Sequence, residues 1–203
     1  GEESSYKKLS GVDTFELVRG LQGHGIRVLG SSIIGLEEHT AENIDRVIDH
    51  SARHRTDFHQ FMLYTPIPGT PLHAELAAAG RMRTDAEVDP ADVHGQSVFN
   101  YRHASLPPGC EGELMIRAFT RDFEENGPSV VRIAETTLAG WRRHRDHPDA
   151  RVRDRIEWES RSLCTQYPAM VAAARRDFVA QCGLPEDEFF ADSFDFANDG
   201  APD

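Results

Sequence analysis

IRVLGSSIIG (Ile26–Gly35) reads as a β-strand, TAENIDRVIDHSARHR (Thr40–Arg55) as a helix and FHQFMLY (Phe58–Tyr64) as a second strand. Ile44, Val47, Ile48 and Ser51 fall at i, i+3, i+4 and i+7, which gives the helix one apolar face. Thr40 is placed to cap it, and Glu42 puts a negative charge in the first turn, where the helix dipole favours one. Two strands joined through a helix run parallel, and such crossovers are almost always right-handed. In units of this kind ligands bind beyond the carboxyl ends of the strands. Those ends are Ile34-Gly35-Leu36 and Tyr64-Thr65-Pro66.

Upstream, Asp13 or Thr14 caps a short helix, and Gly23 and Gly25 stop it. Downstream, Thr70 and Pro71 open another helix that ends at Gly80. The order helix, strand, helix, strand is that of a piece of a β/α barrel. Residues 83–110 form an irregular connector in which Ser97–Tyr101 reads as a short edge strand. From 111 to 183 the chain turns helical: Glu113–Asn126, Ser129–Arg145, Asp149–Gln166 and Pro168–Cys182. In the second of these Val130, Ile133, Ala134, Thr137, Leu138 and Trp141 make one stripe. The tail, 184–203, is acidic with interleaved phenylalanines and is not expected to fold alone.

The 203 residues suffice for one or two domains with a real core. A formal charge of −12 argues against nucleic acid and against acidic membrane surfaces. No apolar run reaches the length of a membrane span, and no leader-like stretch is present, so the expected location is the cytoplasm. Cys110, Cys164 and Cys182 are far apart and lack ligand spacing, which reads as reduced, structural or incidental thiols. The chain begins Gly-Glu-Glu-Ser without an initiator Met, which raises the expectation of a fragment.

Two strands cannot bury their faces in isolation, and a whole β/α barrel takes roughly 250 residues. The residues therefore describe either part of a barrel or a small α/β layer under a helical lid. The loop Thr65–Pro71, with three prolines and Gly69, is either a rigid platform on the ligand face or an ordinary turn into a Pro-started helix. Gly30 and Gly35 mark a close approach, by a ligand or by tight strand–helix packing. The glycines precede the strand, so no dinucleotide fingerprint is formed. His50 and His54 have a spacing that can hold a metal, but no metalloprotease carboxylate accompanies them and Arg53 and Arg55 flank them; a solvated helix face is the expectation. His144 and His147, among Arg142, Arg143 and Arg145, suit a helix C-terminus.

Beyond spacing, GEES (Gly1–Ser4), GIRVLGSSIIGLEEHTAENI (Gly25–Ile44) and FMLYTPIPGTPL (Phe61–Leu72) together resemble the second half of a radical S-adenosylmethionine (SAM) barrel. The similarity is to the subgroup with a cobalamin-binding domain, which includes hopanoid methylases and anaerobic cyclases. It continues more loosely through HGQSVFNYRHA (His94–Ala104) and the helix containing NGPSVVR and TLAGWRRH. The fold implied is the C-terminal part of a TIM-like barrel over residues 1–82. Gly1, Glu3 and Ser4 match a strand end whose polar groups bind the ribose or methionyl part of SAM. Ile33, Ile34 and Gly35 match the end that lines the adenine, and Tyr64, Thr65 and Pro66 match a loop that approaches it through backbone groups. The usual Leu/Phe-Pro-Gly-Glu-Thr is here Leu36-Glu37-Glu38-His39-Thr40.

The family's CxxxCxxC cluster motif is absent from this chain and belongs upstream. The resemblance thus implies cofactors SAM, a [4Fe–4S] cluster and cobalamin, the last two held by an N-terminal half of the same enzyme. No residue of this chain is expected to be catalytic or to bind metal, and the isolated chain is expected to be inactive. The implied reaction of the whole is reductive SAM cleavage, hydrogen abstraction from an unactivated carbon, and methyl transfer to a small or lipid-like substrate. Alternatives are a cyclase, a methylthiotransferase (against which the acidic helices argue) and a non-catalytic interaction module built on a barrel half.

Overall fold

A computed structural model of the protein describes residues 11–89, 91–92, 97–165 and 169–170. It is mixed α/β, with a parallel pair of strands, β1 (Leu29–Ile34) and β2 (Phe58–Leu63). The helices are α1 (Thr14–Gly23), α2 (Ile44–Ala52), α3 (Pro71–Ala78), α4 (Glu111–Asn126), α5 (Ser129–His144) and α6 (Ala150–Thr165). The chain forms two compact units that interleave along the sequence. One comprises Ser31–Ala52 and His59–Asp122; the other comprises the described parts of 1–30, 53–58 and 123–203. The expected helix Pro168–Cys182, apart from Ala169 and Met170, and the acidic tail lie outside the described residues.

Both strands are shorter than the apolar runs suggest, for local reasons. The Ile26 amide bonds to Leu21 O (3.0 Å) and the Gly25 amide to Gln22 O (2.8 Å), so this backbone closes the end of α1. At the other end Gly35 adopts φ +86°, which terminates β1. The ladder runs from Phe58 N–Val28 O (3.3 Å) to Tyr64 N–Ile34 O (2.7 Å). α2 is also shorter than the expected Thr40–Arg55. Asn43 Oδ1 accepts from the Thr40 amide (2.8 Å) and its Nδ2 donates to Glu38 O (2.8 Å), so a side chain competes with the helical ladder. Thr40 Oγ1 accepts from the Glu42 amide (3.3 Å) and caps this turn, not the helix. At the far end Arg55 has φ +47°, a left-handed conformation in which a helix cannot continue.

The first unit has its core where the α2 stripe meets the sheet. Ile44 and Ile48 cluster with Ile34, Phe61 and Leu63, with Leu76 of α3, and with Leu114 and Ala118 of α4. Removing one such side chain, as in Ile48→Ala, costs about 2–5 kcal/mol. α3 opens as its sequence dictates: Thr70 Oγ1 accepts from the His73 amide (3.3 Å) and Pro71 takes the first helical position. The expected edge strand Ser97–Tyr101 reduces to a single antiparallel bridge between Met82 and Tyr101. Two residues further back, Glu111 Oε1 takes the Phe99 amide (3.3 Å) and the Arg83 guanidinium takes the Phe99 carbonyl (3.1 Å), so no backbone group of Phe99 remains for a ladder.

The second unit packs helices. Asp13 caps α1 through the Glu16 amide (3.0 Å). The α5 stripe is buried at Ile133, Ala134, Thr137, Leu138 and Trp141, and Val130 and Ile156 of α6 pack on its cluster. Gly25 and Gly140 touch backbone to backbone. A Cβ on Gly25 would lie 2.4 Å from Gly140 Cα, and one on Gly140 2.6 Å from Gly25 Cα. Asp57, fully buried, accepts from the Val28 amide (2.7 Å) and from Gln22 Nε2 (3.1 Å), fixing the chain just before β2.

Candidate functional site

Ile34 and Gly35 at the end of β1 lie beside Tyr64, Thr65 and Pro66 at the end of β2, as two parallel strands require. Glu3 and Ser4 lie outside the described residues. Ile34, Gly35 and Pro66 are buried, while Tyr64 and Thr65 are half-buried. The cover comes from the segment after α3. Tyr101 Oη donates to Gly35 O (2.7 Å), and Asn100 Nδ2 donates to Pro66 O (2.9 Å). A Cβ on Gly35 would fall 2.3 Å from two carbons of the Phe99 ring, so the glycine serves ring packing on this side.

Two histidines hold the loop after β1. His39 Nδ1 accepts from the amides of Gly35 (3.0 Å) and Leu36 (3.2 Å). His103 Nδ1 accepts from the amides of Ser105 and Leu106, so its Nε2, 3.0 Å from Leu36 O, carries the proton and donates. Burial pushes the His39 pKa below the ordinary imidazole value; Glu38 opposes the shift and His103 adds to it. Glu37 forms a two-pronged pair with Arg81 (2.7 and 3.1 Å), whose guanidinium also donates to Arg102 O. Glu37, standing where the resembled pattern has Pro, therefore ties the loop to Arg81.

The opposite face of the strands is open. Along β1, Leu29, Ser31 and Ile33 are exposed, and Phe58 and Gln60 are exposed along β2. Ile33 is 40% exposed and sits at the strand end expected to line a ligand. Ser32 and His59 point to the covered face. Ser32 Oγ lies 2.9 Å from His59 Nε2, and His59 Nδ1 lies 3.7 Å from Asp122 Oδ1. The order resembles a nucleophile, base and acid. The His59 side chain, however, is only 2% exposed, its ring stacks on Phe61 at 4.1 Å, and 3.7 Å exceeds hydrogen-bond length. This is an internal polar network.

His50 and His54 do not share a helix face, because α2 ends at Ala52. His54 stacks on Phe15 at 4.0 Å and its Nε2 lies 2.8 Å from Thr14 Oγ1. Among the described residues no group of three His, Cys, Asp or Glu could hold a metal ion. Cys110 is half-buried, and burial pushes its thiol pKa up, which disfavours the reactive thiolate. The sequence reading missed His39, His103 and Tyr101. Only the departure from Pro-Gly at Glu37-Glu38-His39 hinted at them. No helix among the described residues is long and apolar enough to cross a membrane. No protein-family model, curated protein or solved structure matches this chain.

Proposed function

We propose that this chain is the C-terminal portion of a cobalamin-dependent radical SAM enzyme, a methyltransferase acting on an unactivated carbon of a small or lipid-like substrate. The observation that carries the reading is the pairing of Ile34-Gly35 with Tyr64-Thr65-Pro66 at the same end of two parallel strands, at the positions where the sequence resembles the family's SAM wall. The exposed residues Leu29, Ile33 and Phe58 agree with strands whose other face belongs inside a larger barrel. In that reading Ile34, Gly35, Tyr64, Thr65 and Pro66 form the adenine side, and Glu3 and Ser4 hold the ribose or methionyl part. The fit is partial. The carbonyls of Gly35 and Pro66 already accept hydrogen bonds from Tyr101 and Asn100. Open surface remains at Ile33, and Tyr64 and Thr65 are half-exposed. When bound, SAM and a [4Fe–4S] cluster would supply the radical chemistry, with cobalamin carrying the methyl group.

That engagement of Gly35 O and Pro66 O is also what favours a second reading, a non-catalytic interaction module built on a barrel half. The two part on one experiment. The reading frame upstream of Gly1 is sequenced, and the full-length protein is reconstituted anaerobically with iron and sulfide and titrated with SAM. The enzyme reading expects a CxxxCxxC motif upstream, a cluster that survives substitution of Cys110, Cys164 and Cys182, and SAM binding weakened by Glu3→Ala. An upstream frame without the motif, or a reconstituted protein that does not bind SAM, overturns it.

A further inference from the structure

The loop after β1 is fastened by two imidazoles that are used in the same way, and every residue involved lies in the first unit. His39 is 5% exposed, and its Nδ1 takes two consecutive amides, those of Gly35 and Leu36. His103 Nδ1 takes another consecutive pair, the amides of Ser105 (3.1 Å) and Leu106 (3.0 Å). The Nε2 of the same ring donates to Leu36 O, so His103 both shapes its own segment and ties it to the loop. Four backbone amides thus depend on two ring nitrogens that carry no proton.

A proton on Nδ1 of either ring would turn that acceptor into an N–H aimed at two amide N–H groups. The other ties of the loop do not respond to acid in this way. Tyr101 Oη donates to Gly35 O, and Glu37 pairs with Arg81 at side-chain exposures of 37% and 27%, where solvent screens the attraction. Imidazole is the group whose charge ordinarily changes between about pH 5 and 8. Two charged or titratable groups act on His39: Glu38 in the loop favours the charged ring, and His103 across from it opposes it. The charged groups on the surrounding elements pair with one another: Glu37 with Arg81, Arg102 with Glu87, Glu111 of α4 with Arg83, and Asp45 of α2 with Arg117. The two sides of the clasp are anchored unequally. The segment 99–106 is held by the Met82–Tyr101 bridge, by the Arg102 amide on Arg81 O (2.7 Å), and by Phe99, Tyr101 and Leu106 in the core. In the loop His39 is buried, Glu38 is exposed, and Leu36, Glu37 and Thr40 are half-buried. Gly35, at φ +86°, supplies a pivot at the loop's start.

We propose that His39 and His103 form an acid-released clasp, in which protonation of the rings frees the loop Gly35–His39 from the segment 99–106 and uncovers the Gly35 carbonyl at the end of β1. With the clasp closed, that carbonyl is occupied by Tyr101 Oη. The anchored segment stays in place and the loop is the part that moves. The clasp needs no cofactor, so it stands or falls independently of the radical reading.

The test is amide hydrogen exchange of the whole chain at about pH 7.5 and about pH 5.5, expressed as protection relative to the intrinsic rate at each pH. The amides of Gly35, Leu36, Ser105 and Leu106 are expected to lose protection by about tenfold or more, the factor by which one imidazole regaining its ordinary proton affinity favours opening over that interval. At both pH values they are expected to be less protected than the buried interior of α4, for example Ala118. The double variant His39→Asn/His103→Asn places a non-titrating acceptor oxygen at each Nδ1 position and is expected to hold its protection within about twofold. Each single variant is expected to show a smaller pH dependence than wild type, and His73→Asn on α3 the same dependence as wild type. Protection that does not change with pH in wild type overturns the proposal. So does a wild-type dependence that survives in the double variant or in both singles. Exchange of the four amides at the rate of the α4 interior also overturns it, because the loop would then open only when the whole unit unfolds.

Discussion

Tyr101 Oη donates a 2.7 Å hydrogen bond to the carbonyl of Gly35, and both residues are buried. A residue far along the chain thus satisfies the backbone group at the end of β1. The Tyr101 ring also packs edge-on to Phe99 and to Tyr64, with centroids 5.5 and 6.3 Å apart, so one aromatic cluster spans both strand ends. Gly35, Tyr64 and Pro66 at the strand ends are each in contact with the segment over them.

Gly35→Ala is expected to destabilise the protein through that cover. The residue has φ +86°, where a side chain costs about 1 kcal/mol, and its Cβ would overlap the Phe99 ring, a type of overpacking worth about 1–3 kcal/mol more. Phe99→Leu should relieve the second part alone. Urea denaturation of the two single variants and the double variant measures this, and strict additivity of the two changes would show that the ring is not what Gly35 accommodates. Tyr101→Phe, which leaves the carbonyl buried and unpaired, is expected to cost about 1–3 kcal/mol.

His39 should make stability fall as the solution is acidified. Burial lowers its pKa in the folded state relative to an unfolded value of about 6.5. A base with a lowered pKa binds more protons when unfolded, so its contribution is complete above about pH 6.5 and is lost as pH falls below that value toward the folded pKa. The geometry gives the same sign. A protonated Nδ1 would confront the amides of Gly35 and Leu36, which it now accepts from. Asn offers a similar acceptor that does not titrate. The urea midpoint of wild type should drop more than that of His39→Asn between about pH 7.5 and about pH 5.5. His144, whose pKa burial and the neighbouring cations also lower, contributes to both proteins alike. Parallel pH profiles would remove His39 as the source.

The elements written by short-range chemistry were legible in the sequence. Asp13 before α1, Thr70-Pro71 before α3 and the apolar stripes of α2 and α5 act within a few residues, and the structure places them as their spacing implies. The parallel pairing of β1 and β2 followed from the length of the crossover. What the sequence concealed depends on long-range pairing. Phe99, Asn100 and Tyr101 read as an edge strand, but their polar groups go to Glu111, Arg83, Pro66 and Gly35. His54 read as one of a helical pair, until the left-handed Arg55 and the end of α2 at Ala52 are taken into account. Glu3 and Ser4, half of the expected SAM wall, lie outside the described residues.

Asp57→Ala is expected to be among the more damaging single changes before β2. Its carboxylate is fully buried, and Oδ2 accepts from the Val28 amide and from Gln22 Nε2. Truncation leaves a buried amide without its acceptor, at about 1–3 kcal/mol, and opens a void as well. Asp57→Asn keeps the shape and one acceptor oxygen, so it should recover part of the loss. Hydrogen exchange at the Val28 amide reports on the contact directly. Fast exchange in Asp57→Ala and slower exchange in Asp57→Asn is the expected order, and equal protection in the two would mean that another group holds this amide.

The contact of Gly25 with Gly140 gives the firmest expectation. Gly25 has φ +78° in the turn that closes α1, and Gly140 lies in the fourth turn of α5. Each Cα occupies the space where the other's Cβ would stand, at 2.4 and 2.6 Å, distances that side-chain motion cannot relieve because both partners are backbone. Gly140→Ala has no helical penalty, and Ala is in fact the better helix former by about 1 kcal/mol. On helix propensity alone it should stabilise α5. The contact predicts the opposite, a loss of about 1–3 kcal/mol or more, because the end of α1 must be pushed off the helix. Gly25→Ala adds the left-handed penalty to the same displacement. Once one alanine has separated the two backbones, the second meets more room, so the double variant should cost less than the sum of the singles. Thermal unfolding of the three variants measures it: a Gly140→Ala protein more stable than wild type would show that α1 and α5 do not meet at this pair in solution.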